Sequence, residues 1–117
     1  RAGHIIHISS FSALSGPSGQ ANYGAAKAGV IALTQSIAAE YGARGIRANC
    51  VLPGFLDTKM TRHLLADEKK RESVLSAHTL DRLNTAADAA RFIAFLHSMK
   101  NVSGQVFQLD SRISPWV

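Results

Sequence analysis

GHIIHISS, residues 3–10, is a short apolar run ending in two serines, and QANYGAAKAGVIALTQSIAAEY, residues 20–41, follows it with a long helical pattern. Ile5, Ile6 and Ile8 provide the β-branched bulk of a buried strand. No hairpin partner comes next. The chain runs instead through Gly16, Pro17, Ser18 and Gly19 into a helix in which Val30, Leu33, Ile37 and Ala38 recur at helical spacing. Gly42 is its expected stop. Ile46 to Leu52 forms a second apolar strand closed by Pro53 and Gly54, and a polar, mixed segment leads from there to about Leu83. Asn84 and Thr85 then cap a helix to about Ser98, with Asp88 three residues after Thr85 in the capping-box pattern, and Gly104 to Leu109 is a third strand. The order strand, helix, strand, helix, strand, with crossovers long enough for parallel pairing, is that of an α/β doubly wound sheet or part of one. In such sheets ligands bind beyond the carboxyl ends of the strands, which here means Ser9, Ser10, Pro53 and Gly54.

The 117 residues suffice for one domain with a modest core. With 46% hydrophobic and 18% charged residues, the composition is that of a soluble globular protein rather than a disordered chain. Lys and Arg outnumber Asp and Glu to give a net charge of +5, which suits an anionic partner such as a phosphorylated cofactor or an acidic protein. Nucleic acid is disfavoured, because the basic residues are scattered and only 7% of the chain is aromatic, leaving no stacking platform. The single Cys50 lies in an apolar run without a partner and reads as a core residue in a reducing compartment. His4 and His7 fall on opposite faces of a strand, and His63, His78 and His97 are far apart in sequence, which disfavours a metal site. No apolar run reaches the ~18 residues that a membrane span needs.

Tyr23 and Lys27 stand four apart, so they share one face of their helix. The residues beside them, Gly24, Ala25, Ala26, Ala28 and Gly29, are small, which leaves room for a flat ligand or equally for a tightly packed neighbouring helix. Ser10 ends the first strand 13 residues before Tyr23, and the loop between can fold back to bring both hydroxyls to one spot. Two hydroxyls with an adjacent ammonium suit one chemistry well. Hydride reduction of a ketone leaves an alkoxide that must be protonated, and the reverse reaction needs a base for the alcohol proton. A free phenol, with a pKa of about 10, is too weak an acid for that work at neutral pH, and a nearby cation favours the phenolate.

These residues, in this order, resemble the short-chain dehydrogenase/reductase family. The likeness is carried by Ser10 at the strand end, by the Y-x-x-x-K pair Tyr23 and Lys27, and by NCVLPG, residues 49–54, a strand leading into a P-G turn. PGFLDTKMT, residues 53–61, is similar to the family's nicotinamide-binding loop, and VSGQVFQLD, residues 102–110, to its last strand. The resemblance implies a Rossmann-type doubly wound parallel sheet, of which residues 1–117 would form the C-terminal half. It also implies an NADP- or NAD-dependent oxidoreductase that reduces a carbonyl to an alcohol. Tyr23 would be the general acid/base, Ser10 would hydrogen-bond the substrate oxygen, and Lys27 would hold the nicotinamide ribose and favour the phenolate. Pro53 and Gly54 would lie against the nicotinamide ring, with the Leu56 backbone and the Thr58 side chain on its carboxamide; for Thr58, an ordinary loop role reads equally well. GQANYGAAKAG, residues 19–29, and PGFLDTKMT are most similar to the 3-oxoacyl-[acyl-carrier-protein] reductases of fatty acid synthesis, and relatives acting on sugars, polyols and steroids share them. That likeness implies a cytoplasmic homotetramer in which Arg1 and Arg44 dock an acidic acyl carrier protein. Leu64, Leu65, Val74 and Leu75 would then lie in a lid, Met60 to Leu83, compatible with an acyl chain or with plain helix packing.

The chain departs from the family pattern in two places. The Gly-rich dinucleotide fingerprint, the residue that selects NAD or NADP, and the family's asparagine upstream of the serine have no counterpart in it. Residues 1–117 are therefore expected not to be the whole functional polypeptide, and to bind no nicotinamide cofactor alone. After the last strand, Asp110, Ser111 and Arg112 stand where the family commonly has a pair of glycines. A non-catalytic subunit that keeps the fold for assembly is the competing reading.

Overall fold

Ala48, Asn49, Cys50, Val51 and Leu52 are all buried, and their strand is the middle one of the sheet in a computed structural model that describes residues 2–11 and 18–113. The elements are β1 (Gly3–Ile8), α1 (Ala21–Tyr41), β2 (Ile46–Leu52), α2 (Arg62–Ala66), α3 (Glu68–Ser76), α4 (Ala86–Ser98) and β3 (Val106–Gln108), with a 3-10 turn at Gly42–Arg44. Both outer strands run parallel to β2: Gly3 to Ile8 pair with Ile46 to Val51, and Val106 to Gln108 with Cys50 to Leu52. Each connection contains a helix, which is the length of chain a parallel return needs.

Strand alternation sends His7 and Cys50 to one face, and His4, Asn49 and Phe107 to the other. α1 covers the first face, where His7 Nδ1 lies 2.8 Å from Thr34 Oγ1. Across the sheet, α4 sets His97 Nδ1 at 3.3 Å from His4 Nδ1, and the Phe92 and Phe107 rings lie 5.3 Å apart. Helices on both faces make this a doubly wound sheet. The steps β1 to β2 and β2 to β3 run the same way across it, yet their helices lie on opposite faces. The two crossovers therefore have opposite hands, and one departs from the right-handed rule for parallel strands.

Several boundaries differ from the sequence reading for physical reasons. β1 ends at Ile8, so Ser9 and Ser10 are loop residues. Gly42 keeps a helical φ of −56°, and the stop comes at Gly45, whose φ of 80° is the left-handed one that glycine adopts freely. β3 is regular over only three residues, although Gly104 N and Leu109 N still donate to Ala48 O and Leu52 O on either side of it. The polar segment after Gly54 holds two short helices. α3, EKKRESVLS, has only Val74 and Leu75 to bury, too few to show a periodic stripe, and Asp67 caps it by accepting from Lys70 N at 3.2 Å. Thr85 caps α4 by accepting from Asp88 N at 3.1 Å. Asn84 does not cap; its Nδ2 donates to Pro53 O at 2.9 Å.

Candidate active site

The rotation of α1 is set by Thr34, which is fully buried against β1 and donates to Val30 O while meeting His7. Lys27, two turns earlier, falls on the same inward side and so arrives at the carboxyl end of β1. There Ser9, only 4% exposed, donates from Oγ to Lys27 O at 2.7 Å, and Lys27 Nζ donates to Ile8 O at 3.5 Å. Tyr23, one further turn out, lies beyond the strand end; it is 44% exposed, and its ring is 5.7 Å from Lys27 Nζ. Among the described residues its hydroxyl has no hydrogen-bond partner.

A cleft of about 280 Å³ brings Ser10, Tyr23, Lys27, Pro53 and Gly54 together. An adjoining lobe of about 440 Å³ shares Ser10, Tyr23 and Gly54, and adds Leu56, Thr58 and Leu64. All seven candidate residues thus line one or the other of these two adjoining pockets. Of the four apolar lid residues, Leu64 lines it, whereas Leu65 and Leu75 line a separate groove beside Arg62, Arg71 and Arg82.

The P-G turn is held from three directions. Gly54 has φ 99°, and a Cβ there would stand 3.1 Å from Asp110 Cβ and 3.4 Å from Leu109 O, so a side chain would be both strained and crowded. Asn84 holds the Pro53 carbonyl. Thr61 ties the loop to itself, its hydroxyl accepting from Thr58 N at 3.0 Å and donating to Leu56 O.

Asp110, Ser111 and Arg112, where the resemblance led to the expectation of a glycine pair, form a brace. Asp110 Oδ1 accepts from Gln108 Nε2 and Arg112 N, and Oδ2 accepts from Arg112 Nε at 2.7 Å, with Arg112 Nη2 in ion-pair contact at the same distance. Burial by itself would raise the carboxyl pKa, but the hydrogen bonds from Gln108 and Arg112 outweigh it and hold the group below its ordinary value. The Ser111 carbonyl accepts from Thr79 N and Oγ1, and its hydroxyl from Leu80 N, fastening the segment after α3 to the end of β3. The Arg112 guanidinium lies 4.1 Å from the Phe11 ring centre and lines the cleft with Ser10 and Tyr23. Sequence reasoning placed Ser9 at the strand end and Asn84 at a helix cap but missed what they hold, since those contacts join residues 18 and 31 positions apart, and it missed the Thr61 tie and this brace, which follow no motif. The one signal was the departure from the glycine pair.

Arg44 is exposed, its guanidinium 5.5 Å from the Tyr41 ring centre; Arg1 lies outside the described residues, as do Gly16, Pro17 and the last four residues of the chain. His4 and His97, distant in sequence, meet across the sheet face, but among the described residues no three His, Cys, Asp or Glu side chains are grouped to hold a metal ion. No described helix is long and apolar enough to cross a membrane.

The cleft fits the nicotinamide end of a dinucleotide. Lys27 has ammonium protons beyond the one given to Ile8 O, Tyr23 has a hydroxyl to offer, and Pro53, Gly54 and Phe55 form a wall beside them. No G-x-G-x-x-G turn for the pyrophosphate exists in these residues.

A family model described as enoyl-(acyl carrier protein) reductase matches residues 1–111. The 3-oxoacyl-[acyl-carrier-protein] reductase FabG of Thermotoga maritima is 44% identical over 112 residues, which are 94% of this chain and 45% of that protein. Nodulation protein G of a Rhizobium species is 36% identical over 116 residues, 97% of this chain and 46% of that protein. A crystal structure assigned as a 2-deoxy-D-gluconate 3-dehydrogenase from Agrobacterium tumefaciens, with bound NADP, superposes with a TM-score of 0.91 at 31% identity, over 95% of this chain and 46% of its own. The chain spans about half the length of the curated relatives it matches. With the family model covering nearly all of it, and with these relatives, the chain belongs to the short-chain dehydrogenase/reductase family.

Proposed function

We propose that this chain carries the catalytic end of an NADP- or NAD-dependent oxidoreductase that interconverts a carbonyl and an alcohol. What supports the reading is the meeting of Ser10, Tyr23 and Lys27 in one cleft beside Pro53 and Gly54. A bound nicotinamide supplies hydride to the carbonyl carbon, or accepts it in the reverse direction. Tyr23 Oη gives its proton to the developing alkoxide, which balances the hydride and leaves the alcohol; in reverse it takes the alcohol proton. Ser10 hydrogen-bonds the same substrate oxygen, and Lys27 holds the ribose hydroxyls and favours the phenolate. Pro53 and Gly54 wall the ring, while the Leu56 backbone and Thr58 hold its carboxamide.

Similarity to 3-oxoacyl-[acyl-carrier-protein] reductases supports a 3-oxoacyl thioester as substrate, with an acidic acyl carrier docking at Arg1 and Arg44 of a cytoplasmic homotetramer. A smaller oxo or hydroxy acid is the second substrate reading, favoured by the cation Arg112 in the cleft wall. The test uses the complete polypeptide that contains this chain, with reduced nicotinamide cofactor and 3-oxoacyl thioesters, free and carrier-linked. Cofactor oxidation should be faster with the carrier-linked form, and Tyr23→Phe should slow it at least about a hundredfold while leaving the fold intact. Near-normal turnover in that variant would remove Tyr23 from the mechanism.

A further inference from the structure

Arg112 occupies the cleft in a way that a merely structural arginine does not need. Its Nε donates to Asp110, whose side chain is 1% exposed, its Nη2 stands 2.7 Å from the same carboxylate oxygen, and its Cζ lies 4.1 Å from the Phe11 ring centre. Nη1, with its two protons, has no partner among the described residues. The arginine side chain is 16% exposed, so water competes weakly for those donors, and the cleft they border also holds Ser10, Tyr23 and Lys27. A guanidinium fixed by a buried carboxylate and an aromatic face is preorganised as a fork, and a fork of donors matches a carboxylate better than any neutral group.

We propose that Arg112 is a specificity-determining residue that binds a carboxylate of the substrate, so that the cleft takes small oxo and hydroxy acids, held at the acid end by Arg112 and at the carbonyl or hydroxyl end by Tyr23 and Ser10. The proposal rests on the carbonyl–alcohol reading of this cleft and takes the second of its two substrate readings, the small acid, in place of the thioester. Asp110 does not cancel the effect, because it is engaged on the opposite edge of the guanidinium and on the Arg112 backbone.

The experiment compares acetoacetate with methyl acetoacetate, alike in reach and different in charge, as substrates of the complete polypeptide. The acid should have the higher kcat/KM, and Arg112→Gln should lower it by about a hundredfold, chiefly through KM, at least about tenfold more than it lowers the ester's. Arg112→Lys, which keeps the charge and loses the fork, should fall between. Equal use of acid and ester by the unaltered protein, or equal loss on both in the variant, overturns the assignment and leaves the carbonyl–alcohol reading standing. If neither compound turns over, that reading is in doubt, and saturation-transfer NMR with malonate decides the inference separately. Malonate bound by the unaltered protein and released by Arg112→Gln supports it; malonate unbound, or bound equally by both, overturns it.

Discussion

Asn49 is fully buried, and its amide is used in full. Nδ2 donates to His4 Nε2 and to Val102 O, each at 2.9 Å, and Oδ1 accepts from Gln105 N at 3.1 Å. The backbone contacts fix which way the amide points, and that fixes the histidine: Nε2 of His4 must accept, so Nδ1 carries the proton toward His97. A second proton on His4 would face the amide donor. Burial, then Arg47 and then His97 hold its pKa below 6.5. The unfolded chain therefore binds more protons than the folded one between that lower value and 6.5, and stability falls as pH falls through this window. Urea unfolding at about pH 5 and about pH 7 should show the lower midpoint in acid, and His4→Gln, which can still accept from Asn49, should shrink the difference. An unchanged difference in that variant would assign the acid sensitivity to other groups.

The loop from Pro53 to Thr61 depends on a hydroxyl that no motif requires. Thr61 joins the Thr58 amide to the Leu56 carbonyl, the two backbone positions flanking the expected carboxamide contact. Thr61→Val keeps the shape and loses both bonds. In the complete polypeptide it should weaken nicotinamide binding by about tenfold, followed by cofactor fluorescence, and Thr61→Ser should restore it. Equal affinity in the valine variant would mean that the loop holds its form without this tie. In the sequence, PGFLDTKMT announces the loop through Pro53 and Gly54, which turn a chain by their own backbone preferences. What steadies it is harder to see there. Asn84 and Asp110 reach the turn from 31 and 56 residues away, and neither distance has a local signature.

The sheet as a whole leaves β1 at its edge, paired on one side to β2, with Ile5 38% and Ile8 44% exposed. An apolar edge strand with free backbone groups pairs with whatever strand it meets. Residues 1–117 produced by themselves should self-associate, and sedimentation velocity should show species larger than 12.5 kDa growing with concentration. A stable monomer would show that the edge is tolerated. Lys27 and Tyr23 depend on this architecture too, since α1 reaches the strand ends only because Thr34 seats against His7 in the middle of the sheet.

The order of strands and helices was readable from residues 3–10, 20–41, 46–52 and 84–98, because apolar periodicity and capping act between near neighbours and need no knowledge of the rest of the chain. The pairing of Tyr23 with Lys27 was readable for the same reason: one helical turn separates them. Strand order, the opposite hands of the two crossovers, the meeting of His4 with Asn49 and His97, and the seating of Arg112 between Asp110 and Phe11 were decided only by tertiary structure. These contacts join positions tens of residues apart, and which of them form depends on how both faces of one sheet are buried at once.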